Sequence, residues 1–274
     1  MKKMLLFIAI IGAGLFGIYY YYANMSYQNI ALSETFFSHA QLPDAFNGVR
    51  IVHFSDAHIR HERSLVTLEN AVNRVNELNA DIVIFTGNLF AAHGLAYRQE
   101  VVDILNQLNA RLATYAVLGL EDIATQTQRE ITENVWQEVG FTLLVNEVQV
   151  LFNQSPVGLH IIGAAPDITY NELNELLEAF SEDNQFNLLL LSTPTFSALS
   201  LMHPIALQLS GHCLGVAHST RGNPCYQFYN GFYQFADTLT IHTSPGLARF
   251  GLFNELTRRP AIHSFLLMQN APNP

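Results

Sequence analysis

The chain has 274 residues, of which 49% are hydrophobic and 13% are charged. This composition excludes a disordered chain and is enough for one large folded domain. The formal net charge is -10, and the only lysines are Lys2 and Lys3. Because the sequence lacks a basic patch with interleaved aromatic residues, we expect no nucleic-acid partner.

The first predicted element is a membrane anchor. Residues 4–23 are uncharged and about as long as a helix that crosses a bilayer. Two lysines precede this run, and Tyr19 to Tyr22 end it where an aromatic belt would lie. The run lacks a small-residue cleavage site, so we predict a retained anchor in residues 1–24, although the sequence leaves a cleaved signal peptide open.

The lysines also predict the orientation of the chain. Basic residues favour the cytoplasmic side, so the N-terminus is expected in the cytoplasm and the rest outside it. The predicted protein is thus a single-pass protein of the plasma (inner) membrane. A tether over residues 25–44 is expected to connect the anchor to a domain over residues 45–270.

Strand and helix signals alternate through this domain. Ile82 to Phe85 is wholly apolar, as is typical of a central buried strand. Residues 64–79 carry the apolar stripe of a helix packed on a sheet. Capping boxes at Thr127-x-x-Glu130 and Thr169-x-x-Glu172 predict two further helix starts. The alternation predicts an α/β fold.

Polar residues follow several of the predicted strands. Asp56, Asn88, Glu121 and His212 each stand on a loop just after a strand-like run. In α/β sheets the carboxyl ends of the strands meet at one crevice, where ligands bind. We therefore expect these four side chains to lie close together.

These residues belong to four short motifs in a fixed order. The motifs are Asp56-Ala57-His58, Gly87-Asn88, Gly119-Leu120-Glu121-Asp122 and Gly211-His212-Cys213-Leu214-Gly215. Their order and spacing resemble the calcineurin-like metallophosphoesterases, whose motifs read D-x-H, G-D, G-N-H-D, a lone His and G-H-x-H. Leu144 to Glu147 and the run Arg258-Arg259-Pro260 extend the resemblance over roughly residues 45–268. It implies a four-layer αββα sandwich of two mixed β-sheets flanked by helices, here preceded by one transmembrane helix.

The resemblance also implies a metal centre. Members of that family hydrolyse phosphoesters with two divalent ions, manganese, zinc or iron. Carried over residue by residue, Asp56, His58 and His212 keep ligand positions, and Asn88 stands where the bridging Asp is expected. These four residues are the candidate metal ligands, as a vestigial or single-ion site. Because a neutral amide does not bridge two dications as a carboxylate does, these residues are expected to hold at most one divalent ion, or none.

The other family positions have changed more. Leu120 and Leu214 replace two ligands, and Thr193 stands where the lone His is expected. Glu121 occupies the position of the His that protonates the leaving group, so it is the candidate catalytic residue. A carboxylate from Glu121 or Asp122 is a possible replacement ligand.

Two functions remain open from the sequence. The first is a membrane-anchored member of this family with weak or no hydrolase activity on an unidentified phosphoester. The second is a catalytically dead pseudoenzyme that binds a protein partner in the cell envelope. Cys213 and Cys225 leave a further alternative open, one disulfide or two unpaired cysteines.

Overall fold

The computed structural model describes residues 2–91, 93–180, 184–235, 238–249 and 258–269. The predicted domain end at residue 270 lies outside these ranges. The helices are α1 (Lys2–Gln28), α2 (Glu62–Glu77), α3 (Arg98–Leu105), α4 (Gln126–Glu138), α5 (Tyr170–Phe180) and α6 (Ser197–Ser200). Short 3-10 helices span Asp44–Phe46, Gly94–Tyr97 and Pro224–Tyr226.

The strands form two mixed sheets. They are β1 (Ala31–His39), β2 (Arg50–Phe54), β3 (Ile82–Thr86), β4 (Ala113–Val117), β5 (Thr142–Leu143), β6 (Glu147–Leu151), β7 (Leu159–Gly163), β8 (Asn187–Leu190), β9 (Leu207–Ser210), β10 (Gly231–Phe235), β11 (Leu239–Thr243) and β12 (Ala261–Gln269). One sheet has the order β1-β12-β2-β3-β4-β5 and the other β10-β11-β9-β8-β7-β6. Both combine parallel and antiparallel pairs, which confirms the predicted α/β fold with two mixed sheets.

Three apolar cores separate four layers. Ile82 and Ile84 of β3 pack with Leu188 and Leu190 of β8 in the core between the sheets. The alternate residues of β3 face outward and pack with α2, α3 and α4. Helices α5 and α6 cover the outer face of the second sheet. Because successive side chains of a strand point to opposite faces, wholly apolar strands serve two cores at once.

The region predicted as a tether contains a strand. Strand β1 lies within residues 25–44 and pairs in parallel with β12 over its whole length, from Ala31 to His39. This part of the chain therefore belongs to the first sheet rather than to a linker. The sequence signal was weak because the partner strand lies more than two hundred residues further along the chain.

The two predicted capping boxes have different outcomes. Thr169 Oγ1 accepts from the Glu172 backbone N–H, and the Glu172 carboxylate accepts from the Thr169 backbone N–H, as predicted. The prediction at Thr127 is wrong, because Thr125 caps α4 by accepting from the Gln128 backbone N–H. Thr125 and Thr127 each precede a Gln or Glu by three residues, so the sequence pattern alone did not show which of them caps α4.

Helix α1 contains the apolar run expected to cross a membrane. Phe7, Ile10 and Phe16 each expose more than 60% of their surface. Among the helices of the described ranges, none reaches the length and apolarity that a membrane crossing requires. The anchor in residues 1–24 stays a prediction.

Candidate functional site

The candidate site lies where β2, β3, β4 and β9 end. Asp56, Asn88 and His212 each come two residues after a strand, and Glu121 comes four residues after β4. Asn88 Nδ2 donates to Asp56 Oδ1 at 2.8 Å, and the Glu121 backbone N–H donates to Asn88 Oδ1 at 3.1 Å. The His212 backbone N–H donates to Asp56 Oδ2 at 2.8 Å. The structure thus brings all four residues together, as expected for loops at converging strand ends.

The Asp56 carboxylate is fully buried and both of its oxygens are engaged. Oδ2 accepts from Ser55 Oγ at 2.5 Å as well as from the His212 backbone. Oδ1 accepts from Asn88 and lies 3.6 Å from His58 Nε2. Burial alone would raise the pKa of Asp56, but these partners, His58 first among them, hold it below its usual value. Asp56 is therefore an ionised carboxylate satisfied by protein donors, and Ser55 is a contributor that the sequence motifs did not indicate.

The Asn88 side chain directs its NH₂ group toward Asp56, whereas a metal ligand would have to direct its oxygen there. Its orientation is fixed from both sides, because the Glu121 backbone N–H requires an acceptor and the Asp56 carboxylate requires a donor. The NH₂ group therefore faces Asp56, while the oxygen that would ligate an ion is bound to Glu121. Asn88 is fully buried, so this arrangement is held by its surroundings.

His58 forms an ion pair in the centre of the site. Its Nδ1 lies 2.8 Å from Glu121 Oε2, and its Nε2 faces Asp56. Burial alone would lower the pKa of His58, but its interactions with the Asp56 and Glu121 carboxylates raise it to about 9. The hydrogen bond with His58 in turn holds the pKa of Glu121 below its usual value. His58 is therefore an imidazolium between two carboxylates, and both of its ring nitrogens face an acceptor.

Asp122, which follows Glu121, bonds to the backbone of the loops that carry this network. Its carboxylate accepts from the backbone N–H groups of Gly119, Asn88 and Leu89 at 2.7–2.8 Å. Burial raises the pKa of Asp122 to about 6, although these hydrogen bonds oppose the rise. Asp122 thus ties the loop after β3 to the loop after β4, and the expectation that it replaces a metal ligand does not agree with this geometry.

The loops keep an unusual backbone although their side chains differ from the family pattern. Residues of the site other than glycine have positive φ at Asp56, His58, Asn88, His212 and Leu214. Such conformations cost about 1–3 kcal/mol each and cluster at functional sites. The close approach of two loops also needs glycine, because a Cβ at Gly119 would lie 2.3 Å from the Asn88 backbone nitrogen.

The three other replaced positions do not contribute ligands. Leu120 is 42% exposed, so it does not seal the site. Leu214 Cδ2 lies close to Gly246 beside Asp56, and it also lines a cavity of about 560 Å³. The Thr193 hydroxyl is hydrogen-bonded to Thr195. The side chains of Asp56, His58 and Asn88 bond within the site, and His212 joins them through its backbone N–H. Leu214 lines the adjacent cavity.

These contacts test whether the residues fit a two-ion centre. An ion requires oxygen or nitrogen lone pairs directed at one point. The Asp56 lone pairs accept protein N–H and O–H groups, the Asn88 oxygen faces a backbone donor, and both His58 nitrogens face carboxylates. Within the described ranges, no group of three or more His, Cys, Asp or Glu side chains is placed to hold a metal ion. The residues present do not fit the dinuclear centre that the resemblance implies.

A disulfide bond joins Cys213 to Cys225, which settles the alternative that the sequence left open. Cys213 lies between His212 and Leu214, so the bond closes the loop that follows β9. Disulfides persist in oxidising compartments and are rare in the cytosol.

Three histidines that are far apart in the sequence form one buried group, here called the histidine cluster. It consists of His53, His242 and His263. His53 Nδ1 lies 3.0 Å from His242 Nδ1, and its Nε2 bonds to Thr86. Burial lowers the pKa of His53 to about 3, that of His263 to about 4, and that of His242 well below its usual value. The cluster is therefore neutral at physiological pH.

Comparisons with known proteins agree with the motifs. No protein-family model matches this chain. It is 26% identical over 259 residues to an uncharacterized metallophosphoesterase, YkuE, of Bacillus subtilis (strain 168), covering 92% of this chain and 90% of that protein. It is 30% identical over 262 residues to a transmembrane protein with metallophosphoesterase domain of Bos taurus. That match covers 85% of this chain but 55% of the bovine protein, so the chain spans about half of that relative.

A solved structure supports the fold. The chain superposes with a TM-score of 0.50 on GAP50, the anchor in the inner membrane complex of Plasmodium. The two share 11% identity, and the match covers 74% of this chain and 73% of that one. At this identity the likeness concerns the arrangement of the sheets and helices.

Proposed function

Because this chain belongs to the calcineurin-like metallophosphoesterase family, we propose that it is a membrane-anchored member with weak or no phosphoester hydrolase activity. The observation that carries the proposal is the hydrogen-bonded network of Asp56, His58, Asn88 and Glu121. Two-ion hydrolysis needs a bridging carboxylate and open ligand positions. The network instead uses the donors and acceptors of these side chains on each other.

The electrostatics of the network support the same proposal. The His58 imidazolium contributes a positive charge between Asp56 and Glu121. This cation compensates the charge of the buried Asp56 carboxylate, as a metal ion would in a hydrolytic relative. Glu121 is a poor proton donor to a leaving group, because its lowered pKa keeps it ionised.

A second candidate function is a pseudoenzyme that binds a partner in the cell envelope. The disulfide between Cys213 and Cys225 favours an extracytoplasmic location for the domain. Lys2 and Lys3 before the apolar run support a cytoplasmic N-terminus and an inner-membrane anchor. In this account the fold is kept as a binding scaffold while its metal ligands are replaced.

A hydrolase assay separates this proposal from an active enzyme. The full chain in neutral detergent is incubated with a chromogenic phosphodiester and with a phosphomonoester, in the presence of manganese or zinc. We expect turnover no faster than that of the His58→Ala variant. Robust turnover that depends on the ion and disappears in His58→Ala would overturn the proposal.

A further inference from the structure

A cavity of about 560 Å³ lies beside the network and is formed by the C-terminal part of the chain. Its lining includes Leu214, Tyr229, Asn230, Arg249, Arg258 and Arg259. Three of these six side chains are guanidinium groups, and among the described lining residues none is acidic. This is a local excess of positive charge on a chain whose net charge is -10.

Arg258 and Arg259 on the wall of this cavity differ from the arginines that form ion pairs in the structure. Arg50, Arg98 and Arg129 pair with carboxylates. Arg258 donates instead to the Leu214 backbone oxygen at 2.9 Å, which fixes its position at the wall. Within the described part of the chain, neither Arg258 nor Arg259 lies within 4 Å of a carboxylate. A guanidinium carries five N–H donors, so one backbone bond uses a small part of its capacity.

The chemistry of the lining selects one class of ligand. Guanidinium groups bind phosphate through paired N–H···O bonds, which are about twice as strong as neutral hydrogen bonds. The Asn230 amide and the Tyr229 hydroxyl add neutral hydrogen-bonding groups, and Leu214 and Pro245 add apolar surface. The volume is within the range of about 300–1,000 Å³ that is usual for small-molecule sites. It is larger than a bare phosphate ion requires.

We propose that this cavity binds the phosphate group of a phosphomonoester through Arg258 and Arg259, with the ester portion against Leu214 and Tyr229. The phosphomonoester is either a soluble metabolite or a lipid headgroup, because both present the same dianionic group. Asp56, His58, Asn88 and His212 are not among the described lining residues, whereas Leu214, which stands at a replaced ligand position, borders the cavity. The cavity therefore adjoins the candidate metal ligands without including them. The inference holds whether or not the chain hydrolyses phosphoesters.

Calorimetry on the full chain in neutral detergent micelles with EDTA tests the inference. The probes are inorganic phosphate, glycerol 3-phosphate and dioctanoyl phosphatidic acid. The variants are Arg258→Gln and Arg259→Gln, with Arg258→Lys as a milder change should the first not fold. The exposed Arg221, which is not a lining residue, supplies the matched control Arg221→Gln.

We expect the wild-type chain and Arg221→Gln to bind a phosphomonoester alike, and each cavity variant to bind it at least tenfold more weakly. Tighter binding of glycerol 3-phosphate identifies a soluble ester, and tighter binding of the phosphatidic acid identifies a lipid headgroup. No binding of any probe, or binding unchanged in both cavity variants, would overturn the inference. Binding that requires added manganese would overturn it together with the proposed function, whereas metal-dependent turnover alongside arginine-dependent binding would overturn only the proposed function.

Discussion

Replacing Asn88 by Asp restores the residue that the family pattern has at the bridging position. The new carboxylate oxygen would stand 2.8 Å from Asp56 Oδ1, where the Asn88 amide nitrogen now donates. Two ionised carboxylates at this distance repel by about 6 kcal/mol at an effective dielectric constant of 20. If no metal ion lies between the two carboxylates, Asn88→Asp must destabilise the protein.

Proton uptake limits the size of this effect. Keeping one carboxyl of ordinary pKa protonated at pH 7 costs about 4 kcal/mol, and at pH 5 about 1.5 kcal/mol. His58 lies near the pair and reduces the repulsion, so we expect a loss of about 2–4 kcal/mol at pH 7. The pair has a raised pKa in the folded state. The folded variant therefore binds more protons than the unfolded chain, and the loss grows as pH rises from about 4.

The assay is urea denaturation of the full chain and its Asn88→Asp variant in EDTA at pH 5 and pH 7, repeated with manganese. The matched control is Asn73→Asp on the exposed face of α2, which should change stability by no more than about 0.5 kcal/mol. An Asn88→Asp variant as stable as the wild type in EDTA would contradict the expected repulsion between the two carboxylates. A loss of stability that shrinks as pH rises would contradict it as well.

Three further predictions concern stability. The raised pKa of His58 stabilises the folded protein by on the order of 3 kcal/mol, and this contribution is complete below pH 6.5 and lost as pH rises through 9. Denaturation midpoints of the wild type, but not of His58→Gln, should therefore fall over that interval. The histidine cluster has lowered pKa values, so its stabilisation is complete above pH 6.5 and lost on acidification. At pH 5 the loss of unfolding free energy is about 2 kcal/mol per imidazole, and the raised pKa of Asp122 offsets about 1 kcal/mol of it. Equal denaturation midpoints at pH 5 and pH 7 would contradict this prediction. Loop entropy predicts that Cys213→Ser with Cys225→Ser costs about 3 kcal/mol, and a reductant should lower the melting temperature of the wild type but not of this double variant.

The sequence predicted the parts of the structure that depend on local pattern. The apolar run of β3 and the polar residues at strand ends identified the sheet and the edge where Asp56, Asn88, Glu121 and His212 meet. A wholly apolar strand has to be covered on both faces, but the second sheet of the sandwich was implied only by the family resemblance.

The parts that the sequence did not predict depend on contacts between distant residues. Strand β1 is explained by its pairing with β12 at the other end of the chain. The roles of Asp122 and Ser55 depend on which backbone and side-chain groups face them. Likewise, the order of the motifs did not predict that His58 pairs with Glu121, because two side chains 63 positions apart meet only after the loops are placed.

The most direct test of the account is the metal content of the full chain after equilibration with manganese or zinc and removal of unbound ion. Elemental analysis gives the stoichiometry, and calorimetry gives the affinity. Because Asp56, His58 and Asn88 use their ligand atoms in bonds within the protein, we predict no tightly bound ion, and the same result for wild type and His58→Ala. Two ions per chain that are lost in His58→Ala would contradict the account and show that the family's metal centre assembles here.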